Sequence, residues 1–279
     1  GIKIKEGTLK ISTDAALGTG TVEIDGATFA IEGAANNTEI KRNLTLTDAD
    51  GTLAVTSGTA TLSGQIKSAD LSTNADLIKS GMGTLNLTAN NSTLMGDVIV
   101  KEGALGISKN ENLAKETLDN GKVVKGRLIL DGGNLRINTT VDSNNLVLNK
   151  SIVINSQGGG IDTGGIVADT GQIAQATVSG FISGAGTFLK TGDGTLELSA
   201  ANDYSGGTLI EKGTLAIASI TNLGSLGKAI TLNGGDLQLL DDINFGVKTP
   251  TDDDTGRKIL VGATGGGIDT NSHTVSISS

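Results

Sequence analysis

The sequence predicts an all-β fold, a β-solenoid of roughly 14 coils with a few corner loop insertions. Three observations carry that prediction. Long stretches of the chain repeat one another, the segments between turns alternate apolar and polar residues, and the turns are made of glycine. KSGMGTLNLTANNSTLMGDVIVKEGAL, from Lys79 to Leu105, returns as KTGDGTLELSAANDYSGGTLIEKGTL, from Lys190 to Leu215.

The repetition extends beyond that pair. IKIKEGTLKIS from Ile2, VIVKEGALGIS from Val98 and TLIEKGTLAIA from Thr208 open alike, and GGGIDT occurs at Gly158 and again at Gly265. The 279 residues divide into long units 1–97, 98–207 and 208–279, the last incomplete, so they are expected to form one continuous segment of a longer protein. Period two in Thr195-Leu196-Glu197-Leu198 and Thr8-Leu9-Lys10-Ile11 marks half-buried strands, with Leu196, Leu198, Leu9 and Ile11 facing one way. A sandwich needs non-repeating strands, and a propeller shows blade signatures that are missing here. Coils of about 20 residues stacked at about 4.8 Å would make a rod of about 65 Å.

Glycine is the natural corner residue because it enters positive φ without steric cost. The 42 glycines are therefore expected at corners, and Asn90, Asn202 and Asn233 are expected to take the left-handed region at similar places. Asparagines stacked coil over coil are expected to form side-chain amide ladders. The single proline, Pro250, falls outside the strand pattern.

Composition excludes several functions. A formal charge of −9 with no Lys/Arg cluster argues against nucleic acid and anionic membranes as partners. No apolar run is long enough to span a bilayer, so no membrane insertion is expected of this segment. With no cysteine, disulfides and thiolate metal sites are impossible.

The motifs that could carry chemistry are weak. His273, the only histidine, lies in TNSHTV with no GxSxG or GDSG nucleophile motif in the chain, and reads as a solvated turn residue. Asp241-Asp242 and Asp252-Asp253-Asp254 are local runs rather than carboxylates set across a cleft, and read as solvated loops. Asp48-Ala-Asp-Gly51 begins like a calcium loop but lacks the later ligands, so a turn is expected. Sequons at Asn43, Asn86 and Asn138 are what chance produces in a chain rich in Asn and Thr. No catalytic, cofactor-binding or metal-ligating residue is assigned, and the chain is expected not to be an enzyme.

GAGTFLKTGDGTLELSAANDYSGGTLIEKGTL resembles the passenger-associated repeat of Gram-negative autotransporters, whose pattern is approximately GxGxLxKxGxGTLxLxGxNxYxGGTxIxxGTL. GGGIDTNSHTVSIS, from Gly265, is similar to the GGTIDTNGNTVTLSG element of such passengers. Met82 and the run Asn-Asn-Ser-Thr-Leu-Met depart from the pattern, which points to a degenerate coil in the first copy. The resemblance implies a right-handed parallel β-helix exported through an outer-membrane barrel to the cell surface or the medium.

Comparing the units locates three insertions, near Lys115 to Lys125, Gly164 to Ala174 and Gly246 to Arg257. These are the expected contact elements if the rod is an adhesin or self-association stalk, with a host-cell surface, an extracellular matrix component or itself on neighbouring cells as partner. The competing expectation is a structural spacer or secretion-assisting stalk for an enzymatic domain, such as a protease, elsewhere in the protein.

Overall fold

A computed structural model describes residues 1–47, 49–138, 145–164, 174–246 and 257–277. It forms two compact units, Gly1–Arg136 and Ile137–Ser279. Both are parallel β-solenoids in which strands of two to seven residues stack in register.

In the first unit, strands Ile2–Ile4, Val22–Ile24, Leu44–Leu46 and Ile66–Ser68 stack in that order. A second column runs through Thr8–Ile11, Thr28–Ile31, Gly51–Val55, Leu77–Ser80, Val98–Val100 and Leu128–Leu130. A third runs through Ala34–Ile40, Gly58–Leu62, Thr84–Leu87 and Ala104–Ile107. Ile2 lies over Val22 and Thr8 over Thr28, a step of 20 residues, as the repeat length predicts.

The second unit repeats the plan. One column holds Gly159–Asp162, Phe188–Thr191, Thr208–Ile210, Ile230–Leu232 and Ile259–Val261. Another holds Asn145–Leu148, Gln175–Val178, Thr195–Leu198, Thr214–Ile217, Asp236–Leu239 and Ile268–Asp269. Shorter pairs join Ile152–Ile154 to Ile182–Ser183 and Ile243–Asn244 to Val275–Ser276.

Alternation produces the core directly. Leu196, Leu198, Leu215, Ile217, Leu237 and Leu239 point inward and are fully buried, while Thr195, Glu197 and Gln238 remain at the surface. Each inward residue rests on its counterpart one coil away, so aliphatic side chains of similar size pack in files. This explains how a chain with four Phe, one Tyr and no Trp fills the interior of each unit.

Glycine holds the corners where a side chain has no room. Gly103 and Gly213 occupy equivalent positions at φ 62° and 64°, and a Cβ on either would collide with the carbonyls of Gly81 and Gly83 or of Gly192 and Gly194. The expectation for asparagine is corrected. Among the described residues the non-glycine residues at positive φ are Asn37, Asn120, Asn271 and Ser272, and Asn90, Asn202 and Asn233 are not among them. Their corners are set by side-chain hydrogen bonds instead: Asn90 Oδ1 accepts from Ser92 N at 3.0 Å, and Asn233 Oδ1 accepts from Thr264 Oγ1 at 2.8 Å.

Candidate functional site

The repeated stretch builds a corner whose main polar member is a lysine inside the solenoid. Lys79 shares parity with Leu77, and Lys190 with Phe188, so strand alternation turns both inward, and both are 0% exposed. Lys79 Nζ donates to the carbonyls of Ser80 at 2.8 Å, Gly81 at 2.7 Å and Glu102 at 3.1 Å. Lys190 Nζ donates to Thr191 at 2.9 Å, Gly192 at 2.7 Å and Lys212 at 2.9 Å. An ammonium carries three N–H donors, and here each has a carbonyl. Two of those carbonyls belong to the lysine's own corner and one to the next coil, so the side chain joins successive coils. Burial pushes both lysines down to about 8, against attraction from Glu102 for Lys79 and from Asp162 and Asp193 for Lys190.

A pair of asparagines follows in each copy. Asn91 Oδ1 accepts from Ile66 N at 2.8 Å and its Nδ2 donates to Asn112 O at 2.7 Å. Asn202 Oδ1 accepts from Ile182 N at 2.8 Å and its Nδ2 donates to Asn222 O at 2.6 Å. The second asparagine of each pair works on a turn. Asn112 Oδ1 accepts from Lys109 N at 2.9 Å and Asn222 Oδ1 from Ser219 N at 2.8 Å, while their Nδ2 groups donate to Ala89 O and Ala200 O. These four amides bridge backbone to backbone across coils, where amide ladders were expected. A backbone partner satisfies a corner group that no strand reaches.

The first copy is therefore not degenerate. It has the strands, lysine and asparagines of the second, and the two differ at one corner. In the second copy Tyr204 is fully buried against Phe188, ring centroids 5.6 Å apart, and its hydroxyl lies 2.7 Å from Thr208 Oγ1. Burial raises the phenol far above its ordinary range. Arg257 is buried nearby and donates to Leu223 O and Gly224 O, both at 2.9 Å, closing the short helix Ile220–Leu223. In the first copy Val98 stands where the second has Thr208, Leu94 fills the interior as Tyr204 does in the second, and Asp97 takes Arg127 Nη2 at 2.6 Å and Arg127 N at 2.9 Å. Asp97 also continues a file of aspartates: Asp50 Oδ1 accepts from Asp76 N at 2.9 Å, and Asp76 Oδ1 from Asp97 N at 2.8 Å. Burial holds the Asp76 carboxyl above its usual range.

The first insertion is a β-hairpin. Thr117–Asp119 pairs antiparallel with Lys122–Lys125 across Asn120 and Gly121, both at positive φ. Leu118 is 63% and Val124 39% exposed, and the base is held by Lys125 Nζ at 3.5 Å from Asp76 and by the Arg127–Asp97 pair. The Asn-Gly dipeptide was the sequence signal for this turn. The other insertions fall mainly outside the described residues, including 165–173, 247–256, Pro250 and Asp252-Asp253-Asp254. Their margins are described: Thr163 and Ala174 are buried, and Arg257 N donates to Phe245 O at 2.9 Å.

The remaining candidates are placed as follows. His273 is half-exposed beside the Asn271–Ser272 turn, its Nδ1 3.8 Å from Asp242 Oδ1. Asp242 is exposed and accepts from Thr274 N at 2.7 Å. Asp48 lies outside the described residues, and Gly51 begins a strand. Asp193 forms an exposed pair with Lys212 at 2.9 Å, while its counterpart Met82 is 76% exposed. Among the described residues no group of three or more His, Cys, Asp or Glu could hold a metal ion, and no helix is long and apolar enough to cross a membrane.

Comparison with known proteins agrees with this geometry. The passenger-associated-transport-repeat model matches twice, at residues 77–107 and 188–217, the two segments that carry the lysine corners. The adhesin BmaC autotransporter of Brucella suis biovar 1 (strain 1330) is 34% identical over 204 residues, 71% of this chain. The chain spans 5% of that relative's length. No solved structure matches. With both repeat copies matched and built alike, the chain belongs to the passenger region of Gram-negative autotransporters, which is exported through the outer membrane to the cell surface or the medium.

Proposed function

We propose that this passenger segment is an adhesive scaffold, a stack of coils held rigid from within that presents binding elements to a host-cell surface, an extracellular matrix component or copies of itself on neighbouring cells. The observation that carries the reading is the hairpin at Thr117–Lys125. It exposes Leu118 and Val124 and is fixed at its base by two ion pairs, a construction suited to contact and not needed for stacking. The name of the Brucella relative, an adhesin, supports the same reading, as does the structural nature of the repeats, which favours a non-enzymatic role.

A scaffold of this kind tolerates change at its corners, where inserted loops vary most readily. The test is to replace residues 116–125 by a short glycine-serine link in the full protein displayed on cells. Adhesion or autoaggregation falling severalfold, with unchanged β-type dichroism, is the expected result. Unchanged adhesion would remove the hairpin from the contact surface and leave the spacer role as the better description.

A further inference from the structure

The outward face of one strand column in the second unit has a gap in an otherwise continuous row of side chains. In register, Thr177 lies beside Glu197, Glu197 beside Ala216, and Ala216 beside Gln238. Glu197 Oε2 accepts from Thr177 Oγ1 at 3.3 Å, so its carboxylate leans away from Ala216. Gln238 Nε2 donates to Asp269 Oδ2 at 2.8 Å, so its amide leans away on the other side. What remains is a recess of about 170 Å³ whose apolar floor is chiefly the half-buried Leu240, with Ala216 beneath at 2% exposure and Gln175, Thr177, Glu197 and Gln238 on its rim.

We propose that this recess is a carbohydrate site that takes one neutral pyranose residue of a surface glycan; the proposal rests on the adhesive reading above. A pyranose has an apolar C–H face and a perimeter of hydroxyls, each both donor and acceptor, and the recess offers an apolar floor with a mixed rim of hydroxyl, carboxamide and carboxylate. The volume suits a single ring, larger than one water and smaller than a folded peptide element. An anionic sugar or a phosphate meets Glu197 in a chain of net charge −9 and is disfavoured. A cationic side chain would use Glu197 alone, as an exposed ion pair of little worth, and would leave the floor and the amides unused.

The experiment is saturation-transfer NMR on the 279-residue chain with the methyl glycosides of glucose, galactose, mannose and N-acetylglucosamine as probes. At least one should receive transfer, and Ala216→Gln, which restores the missing side chain, should weaken it about tenfold or more. The double variant Glu197→Ala/Gln238→Ala removes the rim without adding bulk and should do the same, so a folding defect in Ala216→Gln does not decide the outcome. No transfer from any of the four probes, or transfer unaltered by both variants, overturns the proposal. So does stronger binding of a lysine-rich peptide than of every sugar. Cell adhesion is measured on the same variants. Sugar binding lost with adhesion intact supports the recess and places adhesive contact elsewhere; adhesion without any sugar binding overturns the recess and leaves the adhesive reading standing.

Discussion

The two repeat copies differ most where they might have been expected to agree, at the corner preceding strands Val98–Val100 and Thr208–Ile210. One is closed by the partly exposed ion pair Asp97–Arg127, the other by the buried ring of Tyr204 with a neutral hydrogen bond to Thr208. Behind both corners stand the same lysine with three carbonyls and the same pair of backbone-bridging asparagines. The shared groups satisfy backbone atoms that the strand ladders cannot reach. The corner only has to fill volume and cap a strand, which several side-chain sets can do.

If that division is correct, the largest effect of a single substitution should fall on the second corner. Tyr204→Ala removes the largest fully buried side chain and should cost about 3–5 kcal/mol in denaturant unfolding. Leu94→Ala empties the smaller buried position of the first corner and should cost less, about 2–3 kcal/mol. Equal losses would show that the two corners carry the same load.

Substitution of the lysines should come next, and equally in both copies. Lys79→Met or Lys190→Met keeps the inward volume but leaves corner carbonyls unpaired, at about 1–3 kcal/mol each. The lysines also set a pH dependence. Their native value near 8 lies below the unfolded value of 10.5, so between these limits the unfolded chain binds more protons than the native one. Stability should therefore rise from about pH 8 to about pH 10.5 and level off above, and the double methionine variant should lose that slope. The smallest effect separates the corners electrostatically: 1 M salt should weaken the first corner by a few tenths of a kcal/mol and leave the Tyr204 corner unaltered, compared as Asp97→Asn against Tyr204→Phe.

How much of this was legible beforehand follows from which interactions have a periodic signature. Thr195-Leu196-Glu197-Leu198 alternates, so its buried leucines were readable, and the spacing of the two long repeats implied a stack of similar coils. Parity also placed Lys79 with Leu77 and Lys190 with Phe188, an inward signal easily discounted because a lysine is assumed to face water. Asn202 was recognised as a corner residue and Asn91 was not, and the role of neither was readable, since partners 20 and 21 residues away are chosen by the stacking register. The hairpin was visible as an insertion, but its turn signal, Asn120-Gly121, went unread. The recess over Ala216 was not visible, because it exists only where four coils come into register.

The most direct test is a ¹³C titration of lysine side chains in the isotope-labelled protein. Two resonances should titrate near pH 8, assignable to Lys79 and Lys190 by their loss in the methionine variants. The absence of any lysine resonance titrating near pH 8, or its persistence in the methionine variants, would contradict a buried ammonium clamp in each repeat.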